Sequence, residues 1–206
     1  LGAKGAGCRY SGVLGLDGER ALIAGASKGI GADIARAFAS AGANLVLGGR
    51  DLDELARAGA ALHDEFGTEV RWAAVDLAAA EGPAELAHRA ADAFGGLDIL
   101  VNNAGISHPQ PVTETDAELF DATLAVNLRA PALLAARVGA DMVAQGIRGA
   151  IITVASAAAL APLPDHYAYC ASKAGLVMAT KVLARELGPH GIRANSVCPT
   201  VVLTEM

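Results

Sequence analysis

The sequence predicts an α/β fold: a doubly wound parallel sheet with helices on both faces. Three observations predict it. Short apolar runs alternate with longer amphipathic ones from Glu19 onward. The short runs are rich in Val, Ile, Leu and Ala and bounded by Gly, Asn, Asp or Pro, as buried parallel strands are. A glycine-rich turn joins the first strand to the first helix. In such an alternation, right-handed crossovers lay the helices on the sheet and leave ligands at the carboxyl ends of the strands.

Each element follows in order. The first strand, Ala21–Ala24, runs through Gly25-Ala26-Ser27-Lys28-Gly29-Ile30-Gly31 into a helix over Gly31–Ala41, where Ile34, Ala35, Phe38 and Ala41 recur at helical spacing. The second strand, Leu45–Leu47, leads to a helix over Leu52–Glu65, and Asp51 with Glu54 has the form of a capping box at its start. The third strand, Val70–Val75, precedes a helix over Pro83–Phe94. The fourth, Ile99–Val101, precedes one long helix over Ala117–Ala144. The fifth, Ala150–Val154, precedes a helix over Tyr167–Leu187, and Ile192–Val197 is the sixth. No repeat, low-complexity tract or linker interrupts the series. Residues 16–206 therefore read as a single Rossmann-like domain. Residues 1–15, Gly-rich and without the apolar run of a signal peptide, read as a flexible tail.

Composition narrows the function. The 206 residues carry 16 Lys plus Arg against 22 Asp plus Glu, a net charge of −6. That acidic balance disfavours a nucleic-acid binder, which needs a basic footprint, and eight aromatics (three Tyr, four Phe, one Trp) leave little for base stacking. With 53% hydrophobic and 18% charged residues, global disorder is excluded. The mean hydropathy of +0.38 raises the question of a membrane. The longest stretch without a formal charge, Gly149–Pro164, carries two prolines and falls short of the ~20 apolar residues a spanning helix needs, so no membrane partner is expected. Cys8, Cys170 and Cys198 form no Cys-x-x-Cys pair and read as reduced thiols of a cytoplasmic protein. His63, His88, His108, His166 and His190 show no ligand-like spacing, so no metal is expected.

The motifs lie at the predicted strand ends. In the turn after the first strand, Gly25, Ser27, Lys28, Gly29, Ile30 and Gly31 are candidates to cradle a pyrophosphate, whose charge would sit against a helix N-terminus. The spacing is Gly-x-x-x-Gly-x-Gly rather than the usual Gly-x-Gly-x-x-Gly. After the second strand, the position where an NAD site usually places an acid holds Gly49, and Arg50 follows. Arg50 and Lys28 could pair with a 2′-phosphate, while Asp51 has a capping role; the reading is NADP(H), with NAD(H) second. Asp76, followed by Leu77, could accept from an adenine amino group or simply cap the next helix. Asn102-Asn103-Ala104-Gly105 could tie strands together through side-chain amides, with Gly105 leaving room for a ribose, or be a plain turn.

Tyr169 and Lys173, spaced i, i+4, share one face of a helix. A free phenol titrates near pH 10, and a neighbouring ammonium favours its ionised form. Ser156 ends the fifth strand, where its hydroxyl could hold a carbonyl oxygen. Tyr167, at i, i+6 from Lys173, reads as packing, and His166 as a residue that could line a substrate pocket.

Together these residues resemble the classical short-chain dehydrogenase/reductase family. The resemblance spans about Leu16 to Met206 and rests on Gly25/Gly29/Gly31, Asp76, Asn102-Asn103-Ala104-Gly105, Asn127 within Val126-Asn127-Leu128, Ser156, and Tyr169-x-x-x-Lys173, in the family's order. It implies hydride transfer between a nicotinamide cofactor and a carbonyl or alcohol. Tyr169 would be the acid or base, Lys173 would hold the nicotinamide ribose and favour the phenolate, and Ser156 would bond the reacting oxygen. Asn127 would hold a water relaying protons to Lys173, and Asn103, Ala104, Gly105, Pro199, Val202 and Thr204 would line the cofactor. Ala24 departs from the family's usual Thr, and Pro199-Thr200 from its usual Pro-Gly. The segment Pro199-Thr200-Val201-Val202, with Glu186-Leu187-Gly188-Pro189-His190, is similar to the dicarbonyl/L-xylulose reductase branch, which implies NADPH and a small polar ketone, sugar or diketone. A 3-oxoacyl-thioester reductase and a non-catalytic NADPH-binding module are the alternatives. An enoyl reductase is disfavoured, because His166 stands where its Tyr would be. The family also implies a homo-oligomer, dimer or tetramer, built through the two long helices. It has a seventh strand and a substrate loop that this sequence, ending at Met206, does not contain.

Overall fold

The computed structural model describes residues 15–200; the proposed tail, apart from Gly15, and the candidates Val202 and Thr204 lie outside them. Six strands form one sheet: β1 (Arg20–Ala24), β2 (Asn44–Gly49), β3 (Val70–Ala74), β4 (Ile99–Asn102), β5 (Ala150–Val154) and β6 (Arg193–Val197). Their order is β3-β2-β1-β4-β5-β6, and every pairing is parallel. The order reverses between β1 and β4, so the connections leave the sheet in opposite directions there and open a crevice at the strand ends. The predicted doubly wound sheet is the observed one.

The helices are α1 (Gly29–Ser40), α2 (Leu52–Phe66), α3 (Gly82–Phe94), α4 (Ala117–Leu124), α5 (Ala130–Gln145) and α6 (Tyr167–Leu187). Alternation along each strand divides the core. Leu22, Val46, Leu100 and Ile151 face α3 and α5, with Leu183 and Leu187 of α6 packed alongside. Ile23, Leu45, Leu47 and Val101 face α1 and α2 through Ala35, Ala39, Leu55 and Leu62. Both clusters are buried, which is why these strands read as near-continuous apolar runs. At the opposite end of the sheet, the Arg20 guanidinium grips the Asp98 carboxylate with two bonds of 2.7 and 2.8 Å, joining β1 to the turn before β4.

One element differs from expectation. The predicted single helix over Ala117–Ala144 is interrupted by a π-helical turn, Ala125–Arg129, in which the Ala130 amide donates to the Ala125 carbonyl. Pro131 supplies a physical reason: it has no N–H, so the Asn127 carbonyl cannot receive the amide an α-helix would give it. The Ala117–Gln145 run is nevertheless long and apolar enough by composition to cross a membrane. It carries five formal charges, on Glu118, Asp121, Arg129, Arg137 and Asp141. In the fold this run covers the sheet, with Leu134, Val138 and Met142 buried.

Candidate active site

The turn after β1 is shaped by glycines where no other residue fits. Gly25 has φ +81°, and a Cβ there would lie 2.7 Å from the Ala104 Cα. A Cβ on Gly31 would lie 1.9 Å from the Gly25 carbonyl oxygen. The Gly25 and Ala26 amides donate to the Gly48 carbonyl, and the Asn103 side chain donates to the Gly25 carbonyl at 2.9 Å. The turn is thus anchored to β2 on one side and to the β4 terminus on the other.

The helix it opens has a bare N-terminus, unlike α2 and α4. Asp51 caps α2 through the Glu54 amide, and Asp116 caps α4 through the Leu119 amide. At α1 the capping residue is Lys28, with no side-chain bond and no acid in the first turn. The first-turn amides therefore lack a side-chain partner, and their positive end of the helix dipole lacks a countercharge. An anion fits there.

An open cleft of about 220 Å³ runs from this turn across the strand ends, reaching Gly49, Arg50, Asp76, Leu77 and Gly105. Lys28 and Arg50 both line it, and among the described residues neither is paired with a carboxylate. Asp51 is committed to its cap at 2.9 Å. One oxygen of Asp76 accepts from the Ala78 amide at 2.9 Å, so Asp76 turns its own loop while the other oxygen stays available. Ile30, a candidate in the turn, instead packs against the α1–α2 side of the core.

The second group gathers at the ends of β4 and β5. Lys173, on α6, is 3% exposed, and its ammonium donates to the Val154 carbonyl at 3.0 Å. Burial pushes it down from 10.5 to about 8, while Cys198 nearby acts in the opposite direction. Its nitrogen stands 5.7 Å from the centre of the Tyr169 ring. Gly105 lies against both polar groups, since a Cβ there would sit 3.3 Å from Asn127 Oδ1 and 3.4 Å from that nitrogen. Ser156 caps a short 3₁₀ turn, Ala157–Ala159, by accepting from the Ala158 amide at 3.1 Å, which leaves its proton free to donate. The Pro199 carbonyl accepts from the Ala157 amide at 2.8 Å and so borders the same end of the site. Tyr167 rests on Phe120, ring centres 5.9 Å apart, as a packing residue would. The His166 ring meets Tyr169 edge-on at 6.1 Å. Its Nδ1 faces the Pro164 carbonyl at 2.8 Å, which requires the proton on Nδ1 and leaves Nε2 an acceptor in the neutral ring.

Asn127 is fully buried, and its amide is nearly saturated. It accepts from the Ile106 amide and donates to the Ile106 carbonyl, both at 2.8 Å, and donates to Ser172 Oγ at 3.3 Å. Ser172 in turn donates to the Tyr169 carbonyl at 2.7 Å. Sequence reasoning named Asn127 but missed Ser172, Ile106 and the Val154 carbonyl, which complete the frame. It also missed Val126, which lines the cleft, and Arg129, which donates to the Ala78 carbonyl. The available signal was Pro131, which marks the irregular turn that carries both. Among the described residues, no group of three His, Cys, Asp or Glu could hold a metal ion.

Known proteins resemble this chain along most of its length. It is 43% identical over 191 residues to a D-threitol dehydrogenase of Mycolicibacterium smegmatis, covering 93% of this chain and 73% of that one. It is 43% identical over 196 residues to an L-xylulose reductase of Mesocricetus auratus, covering 94% and 75%. Among solved structures, an L-sorbose reductase from Gluconobacter frateurii complexed with NADPH and L-sorbose superposes with a TM-score of 0.89 at 39% identity, covering 93% of this chain and 72% of that one. The family model for short chain dehydrogenases matches residues 19–206. With the parallel sheet and the glycine turn, these likenesses establish that the chain belongs to the short chain dehydrogenase family of oxidoreductases.

Proposed function

We propose that this protein transfers hydride between NADP(H) and a small polyhydroxylated ketone or alcohol. The observation that carries the cofactor reading is the pairing of an uncapped, acid-free α1 N-terminus with two unpaired cations, Lys28 and Arg50, in one cleft. A pyrophosphate suits the first and a 2′-phosphate the second. Gly49, Asp76, Leu77, Asn103 and Ala104 would border the adenosine half, and Gly105, Tyr169, Lys173 and Pro199 the nicotinamide half. Val202 and Thr204 belong to the same proposal.

The nicotinamide ring, when bound, supplies or accepts the hydride. The chain's own residues handle the proton and the orientation. Ser156 donates a hydrogen bond from its free hydroxyl to the substrate oxygen and holds it in place. Tyr169 gives its phenolic proton to that oxygen in reduction and takes it back in oxidation, a transfer contributing about 10²–10⁴-fold. Lys173, fixed by the Val154 carbonyl, presents its ammonium to the ribose and favours the negative charge that develops on the phenol. Asn127 is a positioning residue. Its side chain holds Ile106 and Ser172, and its carbonyl, to which Pro131 cannot donate, would hold the water relaying protons to Lys173.

Threitol, xylulose and sorbose, named for the relatives, all carry hydroxyls beside the reacting carbon, and this supports the substrate class. The exposed Leu133 of α5, with Met178 and Val182 of α6, supports a homo-oligomer, dimer or tetramer, which light scattering would read. The two cysteines of the described residues are unbonded, in keeping with a cytoplasmic location.

Fluorescence titration of NADPH and NADH tests the cofactor reading, and a panel of ketoses and polyols then tests the substrate. NADPH should bind more tightly than NADH in the natural protein, and Arg50→Ala should erase most of the difference. Equal affinities in the natural protein, or an unchanged preference in the variant, would overturn the 2′-phosphate assignment.

A further inference from the structure

We propose that Arg129 is a positioning residue for the adenine end of the cleft, acting as a strut between its two walls; the inference rests on the dinucleotide reading above. One wall is the loop that leaves β3, where Asp76, Leu77 and Ala78 line the cleft. The other is the π-helical turn, where Val126 lines it. Arg129, the last residue of that turn, crosses from one to the other.

The loop is folded mainly on itself. The Ala78 amide donates to the Asp76 carboxylate at 2.9 Å and the Ala79 amide to the Asp76 carbonyl at 3.2 Å. Gly82 closes it so tightly that a Cβ would lie 2.1 Å from the Asp76 carbonyl oxygen. Among the described residues, the loop receives the Gly82 amide of α3 on its Ala79 carbonyl at 3.2 Å, and the bond from the Arg129 guanidinium to the Ala78 carbonyl is the one side-chain hydrogen bond that reaches residues 76–80 from outside. The Ala78 peptide is therefore gripped at both ends, its amide by Asp76 and its carbonyl by Arg129.

The origin of the strut matters as much as its end. An α-helix would turn each residue 100° about the axis, whereas the wider π turn lets three near neighbours serve three targets. Val126 meets the cleft, Asn127 holds Ile106 beneath the catalytic residues, and Arg129 holds Ala78. Arg129 thus fixes the adenine loop to the same turn that fixes Asn127. Its contribution is pre-organisation: without it, a bound dinucleotide must order the loop itself and loses affinity accordingly.

The variants are Arg129→Gln and Arg129→Lys, with circular dichroism confirming that both are folded. Hydrogen exchange on the protein without cofactor should show faster exchange across residues 76–82 in Arg129→Gln and partial recovery in Arg129→Lys. Fluorescence titration should show NADPH and NADH weakened by a similar factor, about fivefold to tenfold, as loss of one charge-assisted contact at the surface implies. Their ratio and the turnover number at saturating cofactor should stay as in the natural protein. Unchanged exchange would overturn the strut, whatever the affinities do. Weakening of NADPH alone would make Arg129 a 2′-phosphate ligand, and a fall in turnover with affinity intact would make it part of the chemistry; each overturns the proposal. If the natural protein binds neither dinucleotide, the proposed function and the cofactor role of Arg129 fail together, while the exchange data still decide the strut.

Discussion

Replacing Lys173 by Met should change how stability depends on pH, because the ammonium is buried at an electrostatic cost. Lys173 is 3% exposed and titrates near 8 in the folded protein, against 10.5 for an ordinary lysine. Between those values the unfolded chain holds more protons, so the natural protein gains stability as pH rises. Below 8 both states are charged and the whole cost is present; above 10.5 both are neutral and it is gone. A fall from 10.5 to about 8, at about 1.36 kcal/mol per pH unit, amounts to about 3 kcal/mol. Met keeps the length and apolar body of the side chain without the charge. It also loses the 3.0 Å bond to the Val154 carbonyl, a penalty of about 1 kcal/mol that does not vary with pH. The assay is urea unfolding of both proteins without cofactor at fixed pH from 6.5 to 10.5, with Cys198→Ser in both to remove the thiol coupled to Lys173. The difference between them should be flat below about pH 7 and move by about 3 kcal/mol in favour of the lysine form by pH 10.5. A difference that does not vary with pH, or that favours Met as pH rises, would refute the claim that desolvation sets this lysine.

Two substitutions separate chemistry from architecture. Tyr169→Phe removes the transferable proton and should lower turnover by about 10²–10⁴-fold, with NADPH affinity by fluorescence nearly unchanged; a variant that keeps its turnover would exclude Tyr169 as the acid. Asp51→Ala removes the α2 cap and should cost about 1 kcal/mol in urea unfolding, leaving the preference for NADPH over NADH where it was. A changed preference would mean that Asp51 touches the ribose.

Strand and helix identities were legible because the pattern of apolar residues and the packing tell the same story: β1, β4 and β5 are buried on both faces and read as unbroken apolar runs. The i, i+4 spacing of Tyr169 and Lys173 translated directly into a shared helix face. What could not be read were contacts made by backbone atoms. Ile106 serves Asn127 through its peptide group, and Val154 serves Lys173 through its carbonyl, so neither side chain carries a sign of the role. The π turn escaped for another reason. Apolar residues recur straight through Ala125–Arg129, and the proline that breaks the ladder sits two residues later, where prolines also begin ordinary helices.

The site carries much of the structural load at the top of the sheet. Parallel strands diverge at their carboxyl ends and leave unpaired backbone groups, which must find other partners. Three asparagines tie this end of the sheet to its surroundings. Asn102 reaches the Pro131 carbonyl at 3.0 Å, Asn103 reaches the Gly25 carbonyl at 2.9 Å, and Asn127 spans both polar groups of Ile106. Each bond joins elements far apart in sequence, so the geometry of the cofactor cleft and the packing of α5 and α6 depend on the same side chains. Lys173 works in the opposite sense, since its burial costs stability that a methionine would not. A protein selected for stability alone would keep the asparagines and discard the lysine. Keeping both is what a site needs when a charge must be held in place before its substrate arrives. Activity lost on changing an asparagine is therefore ambiguous by itself, because the fold at the strand ends is weakened too. Activity lost on changing Lys173, with stability below pH 8 rising or nearly unchanged, is not.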